Sequence, residues 1–358
     1  MRVLQLIDSL EVGGAERMAV NYANALKSRI GFSALVSTRN EGGLKEQLDP
    51  EVSYLFLGKK KTIDFKAIRK LKNFVIENKI SVIHAHSSSF FLAVVIKILI
   101  KNIKVIWHDH YGNSDFLASR RSIFLKLFSN FFDGIISVNK NLETWSKEHL
   151  NCQDVIVLNN FVHFNNAEKA ITKLQGTSKK RIIHLANLRP QKNHDLLIEV
   201  AKKIKLDFPD WTFHLVGKDF EDDYSTLLKS KIASNNLTQT VFIYGACEDI
   251  EAIVKQCDIG ILTSVSEGLP VAILEYGYFK LPVIATNVGE ISSVIKDDNS
   301  GFLVTSNDSE DFSKKLMQLI EDEDKRIAFA ANLQKTIFEN YTDAGVIDKY
   351  QKFIEGLS

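Results

Sequence analysis

Cysteine is scarce in this chain of 358 residues; Cys152, Cys247 and Cys257 are the only three. The odd count, with no two in a close metal-ligand pair, argues against a disulfide scaffold and fits a reducing compartment. Net charge is equally slight: 45 Lys and Arg face 44 Asp and Glu, a formal +1, so no overall bias points to nucleic acid. Long apolar runs are missing too. The most apolar stretch, "SSSFFLAVVIKILIKNIKVIW", is interrupted by Lys97, Lys101 and Lys104. That disfavours a membrane span and suits a helix followed by a strand. The opening "MRVLQLIDSL" runs directly into polar "EVGGAER" and reads as a first strand rather than a signal peptide. A cytoplasmic protein is the expectation.

Several chemical fingerprints are also absent. "EVGGAER" sets Gly13 and Gly14 between a strand and a helix, where backbone can approach a phosphate or sugar, but it is not GxGxxG, so the dinucleotide signature is missing. No Asp-x-Asp stands at a strand end. The acidic "EDDY" and "EDEDK" lie in polar, helical surroundings and read as solvated faces. "HAH" and "HDH" each put two histidines on one face of a strand, and four imidazoles could hold a metal. No later carboxylate–histidine cluster completes such a site. A hydrogen-bonding role suits His108 better, and His84 reads as a satisfied strand residue.

What the chain does have is alternation. Strand candidates ("RVLQLID", "FSALVST", "VSYLFLG", "VIHAH", "KVIWHDH", "GIISVN", "VIVLNN") interleave with helices in the first half. The second half repeats the theme from "RIIHLANL" to "GFLVT". This order implies parallel sheets covered on both faces, and the length implies two domains. The polar segment "HFNNAEKAITKLQGTSKK" marks the linker. The expected division is residues 1–162, a linker at 163–180, and 181–340, with a last helix over 341–358 that crosses back to the first domain. Its apolar stripe of Val346, Ile347, Tyr350 and Ile354 needs a partner.

Ligands of such sheets sit beyond the carboxyl ends of the strands. The stretch "SVSEGLPVAILEYGY" carries Glu267 in a turn and Glu275 inside an apolar helical run, where an unpaired carboxylate is costly. Pro270 suits the first turn of a helix, and Glu267 sits just before it, where free backbone N–H groups and the helix dipole favour anions. Eight helical residues rise about 12 Å, whereas hydrolytic carboxylate pairs stand about 5–9.5 Å apart. The two carboxylates therefore suit the two ends of one extended polar ligand better than a glycosidase pair. Arg189 and Lys192 in "NLRPQKNHD" follow a strand and suit a diphosphate. Gly217 ends another strand. "SRRSIFLKLFSNFF" mixes Arg121 and Lys126 with apolar residues, and fits either an anionic membrane surface or a core helix with a charged rim.

Together these residues resemble the retaining glycosyltransferase family 4, whose signature S-x-x-E-G-x-P-x-x-x-x-E reads here "SVSEGLPVAILE". "GGAER", "VIHAHS" and "LRPQKNHDLLIEVA" are similar to the family as well, so the resemblance runs from about residue 2 to 340. It implies an α/β GT-B fold, two Rossmann-like doubly wound domains facing across a cleft, with the acceptor on the first and the nucleotide sugar on the second. Glu267 would contact hydroxyls of the donor hexose and Glu275 the ribose. Gly14 would lie near the diphosphate, Lys192 would hold it together with Arg189, and His108 would bond the transferred sugar. Gly217, Gly268, Leu269 and Pro270 would complete the donor pocket. The family's arginine commonly stands where this chain has Asn187, and Ser293 stands where a later Glu is common. The implied activity is transfer of a hexose from a UDP- or GDP-sugar, without a metal or other cofactor, to a glycan or lipid-linked acceptor, in the cytoplasm or peripherally on the inner face of the cell membrane. A nucleotide-sugar epimerase or hydrolase, and a non-catalytic sugar-nucleotide binder, are the alternatives.

Overall fold

The computed structural model describes residues 1–163 and 171–357. Residues 164–170 of the expected linker lie outside them. The chain divides into two compact units, Met1–Asn165 with Thr342–Ser358, and Asn166–Tyr341.

In the first unit the elements are β1 (Arg2–Ser9), α1 (Gly14–Leu26), β2 (Phe32–Asn40), β3 (Ser53–Phe56), α2 (Phe65–Glu77), β4 (Val82–His86), α3 (Phe90–Leu99), β5 (Lys104–Asp109), α4 (Ile123–Phe128), β6 (Gly134–Ser137), α5 (Lys140–His149) and β7 (Val155–Val157). The seven strands form one parallel sheet in the order β3-β2-β1-β4-β5-β6-β7. Burial on both faces explains the near-continuous apolar runs of its central strands, such as Val3, Leu4, Leu6 and Ile7. One face packs on α2, α3 and α4 through Leu71, Val75, Leu92, Ile96 and Leu125. Alternate residues of β1 and β2, Ile7 and Leu35, meet Ala19, Val20 and Ala23 of α1 instead.

In the second unit they are β8 (Arg181–Leu185), α6 (His194–Asp207), β9 (Thr212–Val216), α7 (Asp223–Ser234), β10 (Val241–Gly245), α8 (Ile250–Val254), β11 (Ile259–Leu262), α9 (Val271–Tyr278), β12 (Val283–Thr286), α10 (Ile291–Val294), β13 (Phe302–Val304), α11 (Ser309–Glu321) and α12 (Glu323–Asn340). Its six parallel strands run β10-β9-β8-β11-β12-β13. The long helical pattern after β13 is two helices. Asp322 leaves the helical conformation and its side chain accepts from the Lys325 amide, capping α12.

The last helix, α13 (Asp343–Gly356), belongs to the first unit and contacts α1. Val346, Ile347, Tyr350 and Ile354 are buried, and the Lys104 ammonium donates to the Leu357 carbonyl.

Each sheet reverses its strand order once, between β1 and β4 and between β8 and β11. Loops leaving neighbouring strands at such a point diverge, which opens a crevice at the carboxyl ends of the strands. The reversal places the turn after β1 beside the turn after β4, and the turn after β8 beside the turn after β11.

Candidate active site

The second reversal collects a charged cluster. After β8 the chain makes a single 3-10 turn, Pro190–Lys192, and Asn193 adopts a left-handed conformation (φ 51°) from which its side chain caps α6. That reversal aims Lys192 back at the loop following β11. The Lys192 ammonium pairs with the Glu267 carboxylate, and Ser264 Oγ donates to the same Glu267 oxygen at 2.6 Å. Thr263 Oγ1 donates to the Lys192 carbonyl at 2.8 Å, and the Val265 amide to the Gln191 carbonyl at 2.9 Å, so the two loops are stitched together. Glu267 is 5% exposed. The sequence suggested a glutamate in a turn, apart from the apolar helical run that holds Glu275. It is instead buried and ion-paired, because the β11 loop folds under the β8 loop.

Glu275 lies one turn into α9 and is also buried, alongside Ile273, Leu274 and Tyr276. Pro270 precedes α9 as its N-cap in extended conformation, one residue outside the helix that the sequence suggested. The turn of Gly268, Leu269 and Pro270 is pinned by the Glu290 amide, which donates to the Gly268 carbonyl at 2.9 Å. Gly289 permits that approach. It has φ +55°, and a Cβ there would meet the Glu267 carbonyl oxygen at 2.1 Å. Gly217 is equally confined, since a Cβ would lie 2.1 Å from the Ala186 carbonyl oxygen. Arg189 takes a different direction from Lys192: its guanidinium sits over the Phe220 ring, 4.6 Å from the centroid. Asn187 accepts from the Lys218 amide at 2.8 Å and so braces the loops after β8 and β9.

In the first unit Gly14 opens α1; its N-cap, Gly13, has no side chain, and the Glu16 carboxylate of the first turn lies beside that glycine. His108 is not on an open surface. Four imidazoles gather at the ends of β4 and β5: His84 Nε2 lies 3.1 Å from His108 Nδ1, His86 Nδ1 lies 3.0 Å from His110 Nε2, and His86 Nε2 lies 2.8 Å from Gln5 Oε1. Tyr22 and Tyr350 edge the group. Burial holds the basicity of His84, His86 and His108 far below the usual histidine range and lowers His110 to about 3, so the rings are neutral. His84, His86 and His108 present ring nitrogens within 4.8 Å of one another, the composition of a small nitrogen-ligand set, yet close ring pairs already satisfy part of it. His84 Nδ1, His108 Nε2 and the Tyr22 hydroxyl are buried without a hydrogen-bond partner among the described residues.

The comparisons with known proteins bear on both units. Residues 12–165 match the Glycosyltransferase Family 4 model, and residues 166–336 match the model of Glycosyl transferases group 1. An uncharacterized glycosyltransferase of Haemophilus influenzae is 25% identical over 95% of each chain. The UDP-Gal:alpha-D-GlcNAc-diphosphoundecaprenol alpha-1,3-galactosyltransferase of Escherichia coli is 25% identical over 94% of this chain and 92% of its own. Among solved structures, Anabaena HepE in complex with UDP-glucose superposes with a TM-score of 0.81 at 19% identity over the whole of both chains. This chain is a glycosyltransferase of the GT-B, family 4 type.

The glycosyltransferase contains supports that its sequence did not disclose. Ser264 was one of several polar loop residues, and only folding brings it onto Glu267. Asp109, read as part of "HDH", is a structural ion pair: Arg120 donates to both its oxygens at 2.7 and 2.9 Å, with its guanidinium 4.2 Å from the Trp145 ring centroid. Burial raises the Asp109 carboxyl while Arg120 opposes that. No spacing rule links positions 109 and 120, so the pair was not legible.

Proposed function

We propose that this glycosyltransferase moves a hexose from a UDP- or GDP-sugar to a glycan or lipid-linked glycan, in the synthesis of cell-surface polysaccharide or lipopolysaccharide, with retention of anomeric configuration and no metal. The observation that carries the reading is the Lys192–Glu267–Ser264 cluster at the strand-order reversal of the second unit. Without donor, Lys192 and Glu267 neutralise each other. An incoming diphosphate carries more negative charge than one carboxylate and draws the ammonium to itself. Glu267, released from the pair but still held by Ser264, then accepts hydrogen bonds from hexose hydroxyls. The diphosphate gains charge as the glycosidic bond breaks, so Lys192 contributes most in the transition state. Arg189 swings from Phe220 to assist. The start of α1 at Gly14 is where the resemblance sets a diphosphate, and a helix N-terminus suits one.

Glu275 takes the ribose hydroxyls, while Gly217 and the turn of Gly268, Leu269 and Pro270 shape the wall of the pocket. His108, which the resemblance sets on the transferred sugar, is fully buried among His84, His86, His110 and Tyr22, so it serves the first unit's core rather than the sugar. Retention follows a front-face path in which the departing phosphate takes the acceptor proton, which leaves positioning as the chief task of the protein. The acceptor reading is supported by the relative that acts on an undecaprenol diphosphate-linked sugar, and the uridine reading by HepE with UDP-glucose.

The test is a panel of UDP-, GDP- and ADP-sugars, scored for binding and slow hydrolysis, then for transfer to an added glycan in EDTA. Transfer is expected with one nucleotide class. Release of an epimer or of free sugar alone would favour the epimerase or hydrolase, and binding without turnover would favour the non-catalytic binder. Glu275→Gln removes a charge-assisted hydrogen bond, a loss of about 1.5–3 kcal/mol, and should weaken nucleotide binding about tenfold to a hundredfold. Activity that vanishes with EDTA and returns with Mn²⁺ would overturn the metal-free reading.

A further inference from the structure

The charge of the chain, balanced overall, is unevenly placed. Residues 59–128 hold fourteen Lys and Arg against four Asp and Glu, net +10 in a chain whose total is +1, so the remainder carries −9. This stretch builds α2, α3 and α4, which line one face of the first sheet. Their inward stripes are accounted for by the core. Their outward stripes are not polar, as a solvated helix layer would be. Phe65 is 81% exposed, Ile123 85%, Phe124 76% and Leu127 61%, and Ile76, Ile98 and Leu99 are exposed too. In the six-residue α4 only Leu125 is buried, which excludes the reading of that segment as a core helix with a charged rim. Around these apolar tips stand Lys66, Arg69, Lys72, Arg121 and Lys126, none in an ion pair among the described residues. Lys97, by contrast, is held by Asp133, and Arg120 by Asp109.

We propose that the outward face of α2, α3 and α4 docks this protein onto an anionic lipid bilayer. The occupant follows from the pairing of two features. Unpaired cations seek an anionic surface, and large exposed side chains between them gain only if that surface has an apolar layer beneath its charge. A soluble polyanion meets the first condition and not the second, and a second copy of this chain would bring +10 against +10. No helix of the described residues is long and apolar enough to span a membrane, so attachment is by this face lying in the headgroup region. The inference rests on the lipid-linked acceptor reading above, to which it adds the surface and the lipid charge. A docked first unit meets an acceptor whose lipid end stays in the bilayer.

Co-sedimentation with phosphatidylcholine vesicles, with and without phosphatidylglycerol, tests it. The purified chain is expected to bind only the anionic vesicles, less so in high salt. Arg121→Glu with Lys126→Glu should lower the partition coefficient about thirtyfold or more, from the surface attraction of each basic residue. Phe124→Ser with Leu127→Ser should abolish the part that survives salt. Phe124→Trp reports insertion, because Trp107, Trp145 and Trp211 are all buried and blind to the lipid; its emission should shift to the blue on anionic vesicles. Absence of binding, an unshifted reporter, equal binding to heparin and vesicles, or docking variants that lose only self-association would each overturn the proposal. None of these substitutions touches the donor cluster, so transfer to a water-soluble acceptor should be unchanged in them. If the unaltered chain transfers sugar but binds no vesicles, the docking face alone falls; if it binds vesicles but transfers nothing, the catalytic reading alone falls.

Discussion

Glu267 shows how a carboxyl side chain can be accommodated inside a protein. A carboxylate this buried survives because Lys192 and Ser264 meet it within one loop pair. Truncating either residue would leave a void as well as an uncompensated partner charge. Glu267→Gln is the cleaner probe: it keeps the shape and the contact with Ser264 and frees Lys192. Affinity for the free nucleoside diphosphate should hold within about threefold, while transfer should fall about a hundredfold or more through the lost hold on the sugar. Calorimetry beside a transfer assay decides it. Equal loss in both would move Glu267 to the nucleotide end and exchange its role with Glu275. The motif spacing around these two glutamates was legible in the sequence. Their pairing with Lys192 and Ser264 was not, because each contact joins loops from strands that meet only in the folded sheet.

At the scale of elements, the loops at the strand ends are set by glycines with different jobs, and this contrast is testable. Gly289 lies at φ +55° against the Glu267 carbonyl. Gly289→Ala must strain the backbone and push the loops apart, with an expected loss of more than about 1 kcal/mol, a lower Tm and weaker donor binding. A Cβ at Gly14, at the head of α1, would meet nothing within 4 Å. Gly14→Ala should therefore melt normally, and should weaken binding only if a diphosphate approaches that turn. Thermal melts with and without nucleotide separate the two variants, and a normal melt for Gly289→Ala would contradict the packing described. The glycines at strand ends could be found in the sequence by position. Which of them is confined could not, because confinement depends on a neighbouring loop, that of Glu267 for Gly289 and that of Ala186 for Gly217.

Two expectations belong to the whole molecule. The neutral cluster of His84, His86, His108 and His110 has its basicity lowered by burial. In the unfolded chain these rings take up protons near pH 6.5, and in the folded protein they do not. Their stabilising effect is complete above that pH and is lost as pH falls below it, by up to about 1.4 kcal/mol per pH unit for each ring. Urea midpoints at about pH 7.5 and about pH 5.5 should therefore differ clearly, with the acidic one lower, before the carboxylates begin to titrate. A flat profile would mean that the rings are hydrated and free to ionise. The second expectation concerns α13. Deleting residues 342–358 uncovers Tyr22, on which Tyr350 packs, and the α1 face that α13 contacts, so the truncated chain should be insoluble or melt far below the full one. A truncated chain that melts like the full one would show that this helix contributes little to the first unit.

The sequence by itself determined the alternation of strands and helices, hence two parallel sheets, because hydrophobic period and turn residues are local properties. It also determined the E-x7-E signature and the cations of "NLRPQK", since their chemistry is carried by residue type and spacing. Other features were decided only by the tertiary structure. The partnership of Lys192 with Glu267, the stacking of four histidines and the clasp of Arg120 on Asp109 each need strands brought side by side. The break of the long final pattern at Asp322 was within reach of the sequence as a capping signal. Whether "IFLKLF" turned inward or outward was not, for an amphipathic or apolar run does not say what lies beside it. Burial is a property of neighbours, and the neighbours of a residue in a parallel sheet come from segments dozens of positions away.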